Sequence, residues 1–288
     1  MGRLTGELQV NKVSADPPVL DEQPEVSHER DLYGNRISTE YTANFSSFGD
    51  DDIDAFFERG YIAFERAFSP DQVRDARSAI DDLIAGGNKD FRGVQYEESI
   101  EGKDDRPVRK LMSFVEYDAR LATLANHADL HAFMRRLLGD TPELFQDMAL
   151  LKNPGGREKP WHQDSAYFNL SMDTTVIGVW IALDPATLDN GCLHILPGTH
   201  RMGPTEHFKV RDWQICDSAV QRQLDIAVPL PPGGCLIWHG LLHHGSPTNH
   251  SSQSRRALQF HYRPVSSNTI STEERMQHFG GAVRGAEC

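Results

Sequence analysis

Short apolar runs separated by turn-forming residues fill the second half of the chain, and this pattern limits the folds open to it. From Glu143 onward each run is too short for a stable helix, and the residues between runs include Asp189-Asn190-Gly191 and Pro231-Pro232-Gly233-Gly234. The predicted strands are Leu144 to Lys152, Val176 to Leu183, Leu193 to Leu196, Cys235 to Trp238 and Ala257 to Tyr262. Many short strands joined by such turns are typical of a β-sandwich or a jelly roll.

The part of the chain before these strands has the apolar spacing of helices. One predicted helix ends at Gly60, and a second begins with Ser69 as the N-cap and Pro70 at the first helical position. A third helix is predicted over about Ala119 to Leu138. The polar, glycine-containing stretch 88–107 is predicted to be a loop.

The domain organisation follows from these patterns. Residues 1–47 are polar and lack a sustained apolar period, so they are expected to form an extended arm. Residues 48–288 are expected to form one domain, mainly β, in which N-terminal helices pack outside the β core (α+β).

Charge and cysteine content exclude several classes of protein. The 29 basic and 42 acidic residues give 29 − 42 = −13 at pH 7, which disfavours nucleic acid and anionic membranes as partners. No apolar stretch approaches the roughly 18 residues of a spanning helix, and no targeting segment is visible. The four cysteines include no CxxC pair, so neither a zinc knot nor a disulfide framework is expected and a cytoplasmic location is predicted.

Two His-x-Asp triplets are candidates for metal binding, and their secondary structure separates them. Residues two apart project from the same face of a strand but diverge on a helix. His127 and Asp129 fall in the predicted third helix, so we expect them to be solvated helix residues. His162 and Asp164 lie in the β region and can converge on one metal ion.

A third ligand is available in the histidine-rich segment 235–246, which contains His239, His243 and His244. Two neutral imidazoles and one carboxylate make a facial triad, which leaves three positions open on an octahedral metal. This donor set is typical of non-haem Fe(II) oxygenases, in which oxygen and a chelating co-substrate take the open positions.

A polar strand face supplies a candidate anion site. Alternation along residues 255–263 places Arg255, Gln259 and His261 on one face and Leu258 and Phe260 on the other. A guanidinium buried inside a β core is costly without a partner, and a dicarboxylate held in bidentate fashion would satisfy it. The alternative is an edge strand with one wet face.

The order of these motifs resembles the phytanoyl-CoA dioxygenase family of Fe(II)- and 2-oxoglutarate-dependent oxygenases, over about residues 50–265. Asp164 and the His244 of His244-Gly245-Ser246 are 244 − 164 = 80 residues apart, and Arg255 follows His244 by eleven residues. The other matching motifs are Trp161-His162-Gln163-Asp164, Trp180-Ile181-Ala182-Leu183, Asp189-Asn190-Gly191-Cys192-Leu193 and Leu196-Pro197-Gly198-Thr199-His200.

The resemblance implies a double-stranded β-helix, that is a jelly-roll or cupin-like core, and a set of site residues. Fe(II) would be bound by His162, Asp164 and His244, where His244 is preferred over His243 because it directly precedes Gly-Ser. The co-substrate 2-oxoglutarate would be held by Arg255 and Ser246, with further contacts from Trp180, Gln146 and Lys110. His239, His243, His194 and His200 are expected to be structural.

The resemblance also implies the reaction, in which O2 and 2-oxoglutarate are consumed, a small organic molecule is hydroxylated and succinate and CO2 are released. Asp164 fills the position that is a small residue in related halogenases, so halogenation is not expected. Desaturation, epoxidation and endoperoxidation stay open, and so does the substrate. Tyr167, Phe168 and residues 88–107 are expected to line or cover the pocket.

Two alternatives to this enzyme remain at the level of sequence. One is a non-catalytic cupin-like module that binds a metal or 2-oxoglutarate, and the other is a cupin oxygenase that does not use 2-oxoglutarate. A monomer or a homodimer is expected.

Overall fold

A computed structural model describes residues 32–97 and 107–288 of the chain. Its α-helices are α1 Asp50–Arg59, α2 Pro70–Ile84, α3 Ala119–Ala125, α4 Ala128–Leu138 and α5 Thr272–Phe279. Its strands are β1 Tyr61–Phe64, β2 Val94–Tyr96, β3 Val108–Met112, β4 Pro142–Lys152, β5 Lys159–His162, β6 Ile177–Ala182, β7 Leu193–Ile195, β8 His207–Lys209, β9 Trp213–Ile215, β10 Ile226–Val228, β11 Cys235–His239, β12 His244–Ser246 and β13 Arg255–Pro264.

These strands form two main antiparallel sheets. The larger has seven strands in the order β1-β11-β6-β13-β4-β3-β2, and the smaller has four in the order β10-β7-β12-β5. A separate hairpin pairs β8 with β9. The mainly β architecture with N-terminal helices that was predicted from the sequence is confirmed.

Two apolar clusters show how the layers pack. Between the sheets, Trp180 and Leu236 of the seven-stranded sheet pack with Ile195 of the four-stranded sheet. On the opposite face of the seven-stranded sheet, Leu258 and Phe260 pack against the helices. The alternation predicted for β13 is therefore observed, and it leaves the inner face of this strand free for polar residues.

The end of α1 and the start of α2 lie where the sequence predicts. Gly60 follows α1 with a φ of 84°, a left-handed conformation that glycine adopts at little cost. At the start of α2 the Ser69 hydroxyl accepts a hydrogen bond from the Gln72 amide at 3.3 Å, and Pro70 is the first helical residue. Both helices place their apolar residues against the seven-stranded sheet.

The predicted single helix over Ala119 to Leu138 is wrong, because the chain breaks it into α3 and α4 at Asn126 and His127. His127 has a ψ of 128°, and its ring packs against Phe45 and Phe68. The Ala125 carbonyl, which a continuous helix would use, instead accepts a hydrogen bond from the Tyr262 hydroxyl. His127 is thus partly buried rather than solvated, whereas Asp129 is exposed as expected.

Two other predicted segments are described only in part. Within 88–107, Val94–Tyr96 forms strand β2 rather than loop, and residues 98–106 lie outside the described residues. Of the predicted arm 1–47, residues 1–31 also lie outside them; from residue 32 onward the chain pairs through isolated bridges, Ile37 with Ala227 and Thr42 with Phe64. The boundary between arm and domain stays a prediction.

The cysteines depart from the expectation of no disulfide. Cys216, next to β9, is bonded to Cys288 at the end of the chain, while Cys192 and Cys235 are buried thiols. The pair is 72 residues apart, and it is brought together by the packing of the C-terminal segment beside β8, where Gly281 donates to the His207 carbonyl. Among the described residues, no helix is long and apolar enough to cross a membrane.

Two adjacent phenylalanines of α1 provide a test of the helix packing. Phe56 is fully buried in the helix-sheet core, whereas Phe57 is 47% exposed. We expect Phe56→Ala to lower the free energy of unfolding by about 3–5 kcal/mol, because a large buried side chain leaves a cavity. Phe57→Ala should change it by less than about 0.5 kcal/mol. Urea denaturation followed by circular dichroism measures both, and equal losses would contradict the packing described.

Candidate metal centre

Strands β5 and β12 place two histidines directly opposite each other in the four-stranded sheet. His162, the last residue of β5, pairs with His244, the first residue of β12, and their ring centroids are 4.2 Å apart. Both side chains are buried. Because directly paired residues project from the same face, both imidazoles point between the two sheets.

Asp164 completes the group. It begins a short 3-10 turn after β5, and its Oδ1 lies 3.5 Å from Nε2 of His162 and 3.5 Å from Nε2 of His244. One ligand atom from each of the three residues lies within 4.8 Å of the others. The described residues therefore contain a buried His-Asp-His group that could hold one metal ion.

Backbone carbonyls fix the tautomers of both histidines. Nδ1 of His162 donates to the Pro160 carbonyl at 2.7 Å, and Nδ1 of His244 donates to the Leu242 carbonyl at 3.0 Å. Each Nε2 is then left with its lone pair directed toward Asp164. This arrangement is the usual outer support of a metal-binding imidazole.

Protonation states suit a divalent metal. Burial, and then the neighbouring His244, lowers the pKa of His162 to about 4, so this imidazole is neutral at pH 7. Burial alone would raise the pKa of Asp164, but the neighbouring His244 and His261 hold it well below its usual value. The donor set is thus two imidazoles and one carboxylate, which suits Fe(II).

The neighbouring histidines point elsewhere. Nε2 of His243 is hydrogen-bonded to the Thr205 hydroxyl at 2.8 Å, and Nδ1 of His239 accepts from the Leu241 amide at 3.1 Å. His194 is bonded to Asp225, and His200 is bonded to the Phe57 carbonyl. None of them belongs to the metal-binding group found among the described residues.

A second polar site lies on the inner face of the seven-stranded sheet, at the start of β13. Arg255 is 2% exposed, and its Nε and Nη1 are buried without a hydrogen-bond partner. Its guanidinium lies 5.0 Å from the ring centroid of Trp180, whose own Nε1 is buried and unpartnered. Burial lowers the pKa of Arg255 to about 10. Neighbouring buried donors with no acceptor indicate a site for an anion.

Ser246 connects this site to the metal-binding group. It lies two residues after His244 on β12, and its Oγ accepts a hydrogen bond from Nζ of Lys152 at 2.7 Å. Lys152 is the last residue of β4 and is paired directly with Arg255, the first residue of β13. Lys152 is not predicted from the sequence, where its only signal is a charged residue at the end of an apolar strand.

The remaining predicted contacts, Gln146 and Lys110, are placed on the same inner face by strand register. Gln146 pairs with His261, and Lys110 pairs with Leu150, which packs between the sheets. Their contacts with a co-substrate stay a prediction. His127 and Asp129 lie at the start of α4, on the helical side of the large sheet.

Two further residues that sequence reasoning left without a role contact the carboxylate of Asp164. Its Oδ2 accepts hydrogen bonds from Nε1 of Trp238 at 2.7 Å and from Nε2 of His261 at 2.9 Å. Both are fully buried aromatic or imidazole rings on central strands. Their proximity to Asp164 depends on strand register, which the sequence alone does not give.

The jelly-roll arrangement and this donor set define a non-haem metal-dependent oxygenase. The model of the family named phytanoyl-CoA dioxygenase (PhyH) matches residues 56–257. The phytanoyl-CoA dioxygenase domain-containing protein 1 of Danio rerio is 25% identical over 271 residues, covering 78% of this chain and 93% of that protein. The chain therefore belongs to the phytanoyl-CoA dioxygenase family.

Solved structures agree with this assignment. EvdO2 from Micromonospora carbonacea var. aurantiaca is 26% identical, with a TM-score of 0.64 over 81% of this chain and 97% of that one. The epimerase SnoN, solved in complex with Fe3+, alpha-ketoglutarate and nogalamycin RO, shares the fold at 18% identity, with a TM-score of 0.65 over 77% and 86% of the two chains. The resemblance and the jelly-roll core are confirmed, as is the class of iron- and 2-oxoglutarate-dependent dioxygenase.

Adjacent histidines allow the metal ligands to be tested. We expect His244→Ala to abolish tight binding of Co(II), used as an oxygen-stable substitute for Fe(II), because it removes one of three ligand atoms. His243→Ala removes a ring that bonds Thr205 and should leave Co(II) affinity close to that of the wild type. Isothermal titration calorimetry of the apoprotein measures both, and the reverse result would reassign the ligand.

Proposed function

We propose that this protein binds Fe(II) through His162, Asp164 and His244 and 2-oxoglutarate through Arg255 and Ser246, and that it oxidises a C–H bond of a small organic molecule. The observation that carries the proposal is the buried, unpartnered guanidinium of Arg255 in a molecule that also holds the metal-binding group. The metal-binding group alone does not require a buried arginine, and the arginine alone does not require a metal. A dicarboxylate that chelates the metal at one end and pairs with Arg255 at the other requires both.

The dimensions support this co-substrate. Ser246 and His244 are two residues apart on β12, a separation of about 6.8 Å along a strand. That separation is comparable with the length of a five-carbon dicarboxylate. One end would therefore meet the metal near His244 while the other meets Ser246 and, through the Lys152 pairing, Arg255.

Each residue has a distinct part in holding the co-substrate. Arg255 would donate from Nε and Nη1 to the distal carboxylate, since both N–H groups lack a partner. Lys152 donates to Oγ of Ser246, which leaves the Ser246 hydroxyl hydrogen available for the same carboxylate. Trp180, which is 1% exposed, lies against Arg255 at this end of the site. It would exclude water from the ion pair between Arg255 and the distal carboxylate.

The overall reaction consumes O2 and 2-oxoglutarate and yields succinate, CO2 and, for hydroxylation, a substrate carrying one of the two oxygen atoms. Bound iron and 2-oxoglutarate supply this oxidising chemistry. The chain supplies two imidazoles, oriented by the hydrogen bonds of His162 and His244, a carboxylate from Asp164, and a buried site that excludes water.

Aromatic residues adjoin the metal-binding group on the side of β5. The Tyr167 ring packs against His162 at 5.7 Å between centroids, and Phe168 packs against His261 at 5.0 Å and against Phe145 at 4.8 Å. The Tyr167 hydroxyl donates a hydrogen bond to the Trp213 carbonyl and accepts one from Nζ of Lys159. These rings favour a small organic substrate whose reacting carbon is held by apolar contacts.

Arg255 and Arg256 provide a matched test, because they are neighbours on opposite faces of β13. Arg255→Ala should weaken 2-oxoglutarate binding by at least about 100-fold, since a charged hydrogen-bonding pair is lost. It should also suppress the slow formation of succinate without substrate. Arg256→Ala removes an ion pair with Asp184 and should leave both quantities near wild type.

Calorimetry with 2-oxoglutarate and mass spectrometric detection of succinate provide the measurements. Metal binding that persists while 2-oxoglutarate is neither bound nor consumed would favour a cupin oxygenase that does not use it. A screen of candidate substrates for products heavier by 16 or lighter by 2 mass units would then separate hydroxylation from desaturation.

A further inference from the structure

The two oxygen atoms of Asp164 face different groups. Oδ1 faces Nε2 of His162 and of His244, at 3.5 Å from each. Oδ2 points away from them and accepts two hydrogen bonds, from Trp238 at 2.7 Å and from His261 at 2.9 Å. The carboxylate therefore has one oxygen on the metal side and one that is already occupied.

The two donors belong to the seven-stranded sheet, whereas the metal-binding histidines belong to the four-stranded sheet. Trp238 lies on β11 and His261 on β13, the two strands that flank β6. Both residues are directly paired with the same residue of β6, Gly178. Trp238, Gly178 and His261 thus form one row across three neighbouring strands, which we call the Trp-Gly-His row.

Glycine is required at the centre of this row. A Cβ atom built on Gly178 would overlap the indole of Trp238, including its Nε1. The missing side chain leaves room for the Trp238 indole, which reaches the same carboxylate oxygen as His261. Gly178 itself is buried, so the space is filled by this ring rather than by solvent.

Both rings act as hydrogen-bond donors to Oδ2 of Asp164. An indole N–H can donate but cannot accept. Since Oδ2 of Asp164 is an acceptor, His261 must carry a proton on Nε2, and its Nδ1 is buried without a partner. The rings of Phe145 and Phe168 pack against His261 and hold its orientation.

We propose that the Trp-Gly-His row is a positioning device that engages Oδ2 of Asp164, so that the carboxylate offers the metal a single oxygen. The inference rests on the proposed function and deepens it. Bidentate binding by Asp164 would take a fourth position on an octahedral ion, and only two would remain. A chelating 2-oxoglutarate and O2 need three.

Residues that orient metal ligands in this way typically affect metal affinity by 10- to 100-fold. We therefore expect His261→Phe and Trp238→Phe each to weaken Co(II) binding to the apoprotein within about this range. Each change removes one N–H donor and keeps an aromatic ring. His261→Gln, whose amide can still donate to Oδ2, should restore affinity toward the wild-type value.

The visible absorption of bound Co(II) provides a readout that a purely structural role would not move. Its d–d bands report coordination number, so the two Phe variants should differ from wild type, and His261→Gln should resemble it. Trp161→Phe is the matched control, because the Trp161 indole is also buried but its Nε1 has no acceptor. Its Co(II) affinity and spectrum should match the wild type.

Three outcomes would overturn the inference or its basis. Wild-type affinity and spectrum in both Phe variants would show that the row does not act on Asp164. Failure of His261→Gln to rescue, with thermal unfolding unchanged, would show that ring packing rather than the hydrogen bond matters. If the wild-type protein does not bind Co(II) at all, the proposed function itself fails.

Discussion

The packing of the two sheets and the position of the metal-binding residues both depend on the Asp164 carboxylate. It is a buried charge, and a buried carboxylate is tolerated only when it is hydrogen-bonded or paired. Its partners come from both sheets: histidines of β5 and β12 on one side, and Trp238 and His261 of β11 and β13 on the other. The same carboxylate contacts therefore set both the packing of one sheet against the other and the geometry of the candidate metal centre.

The second constraint is a pair of buried basic side chains. Arg255 and Lys152 are directly paired across β13 and β4, and in the described residues no carboxylate forms an ion pair with either. Burying a guanidinium without an anion costs on the order of several kcal/mol. Binding of the proposed dicarboxylate co-substrate would relieve this cost. Under the proposed function, the affinity for the co-substrate and the stability of the fold would therefore be linked at this position.

Features set by neighbouring residues could be predicted from the sequence, whereas features set by strand register or other long-range contacts could not. The His-x-Asp triplet, the caps of α1 and α2 and the alternation of β13 could be predicted from neighbouring residues. The break at His127 could not, because the Ala125 carbonyl before it bonds the Tyr262 hydroxyl, 137 residues further along the chain. Trp238, Gly178 and His261 likewise meet only through pairings across β6, and Lys152 meets Ser246 across 94 residues.

The bond between Cys216 and Cys288 ties the last residue of the chain to the region after β9. The closed loop spans 72 residues and includes β10 to β13 and α5, hence the His244 and Arg255 strands. By the chain-entropy model, such a cross-link restricts the unfolded chain enough to stabilise the fold by about 4 kcal/mol. Thiol-reducing conditions therefore change the topology of the last quarter of the chain, which is a closed loop while the bond is intact and a linear segment once it is reduced.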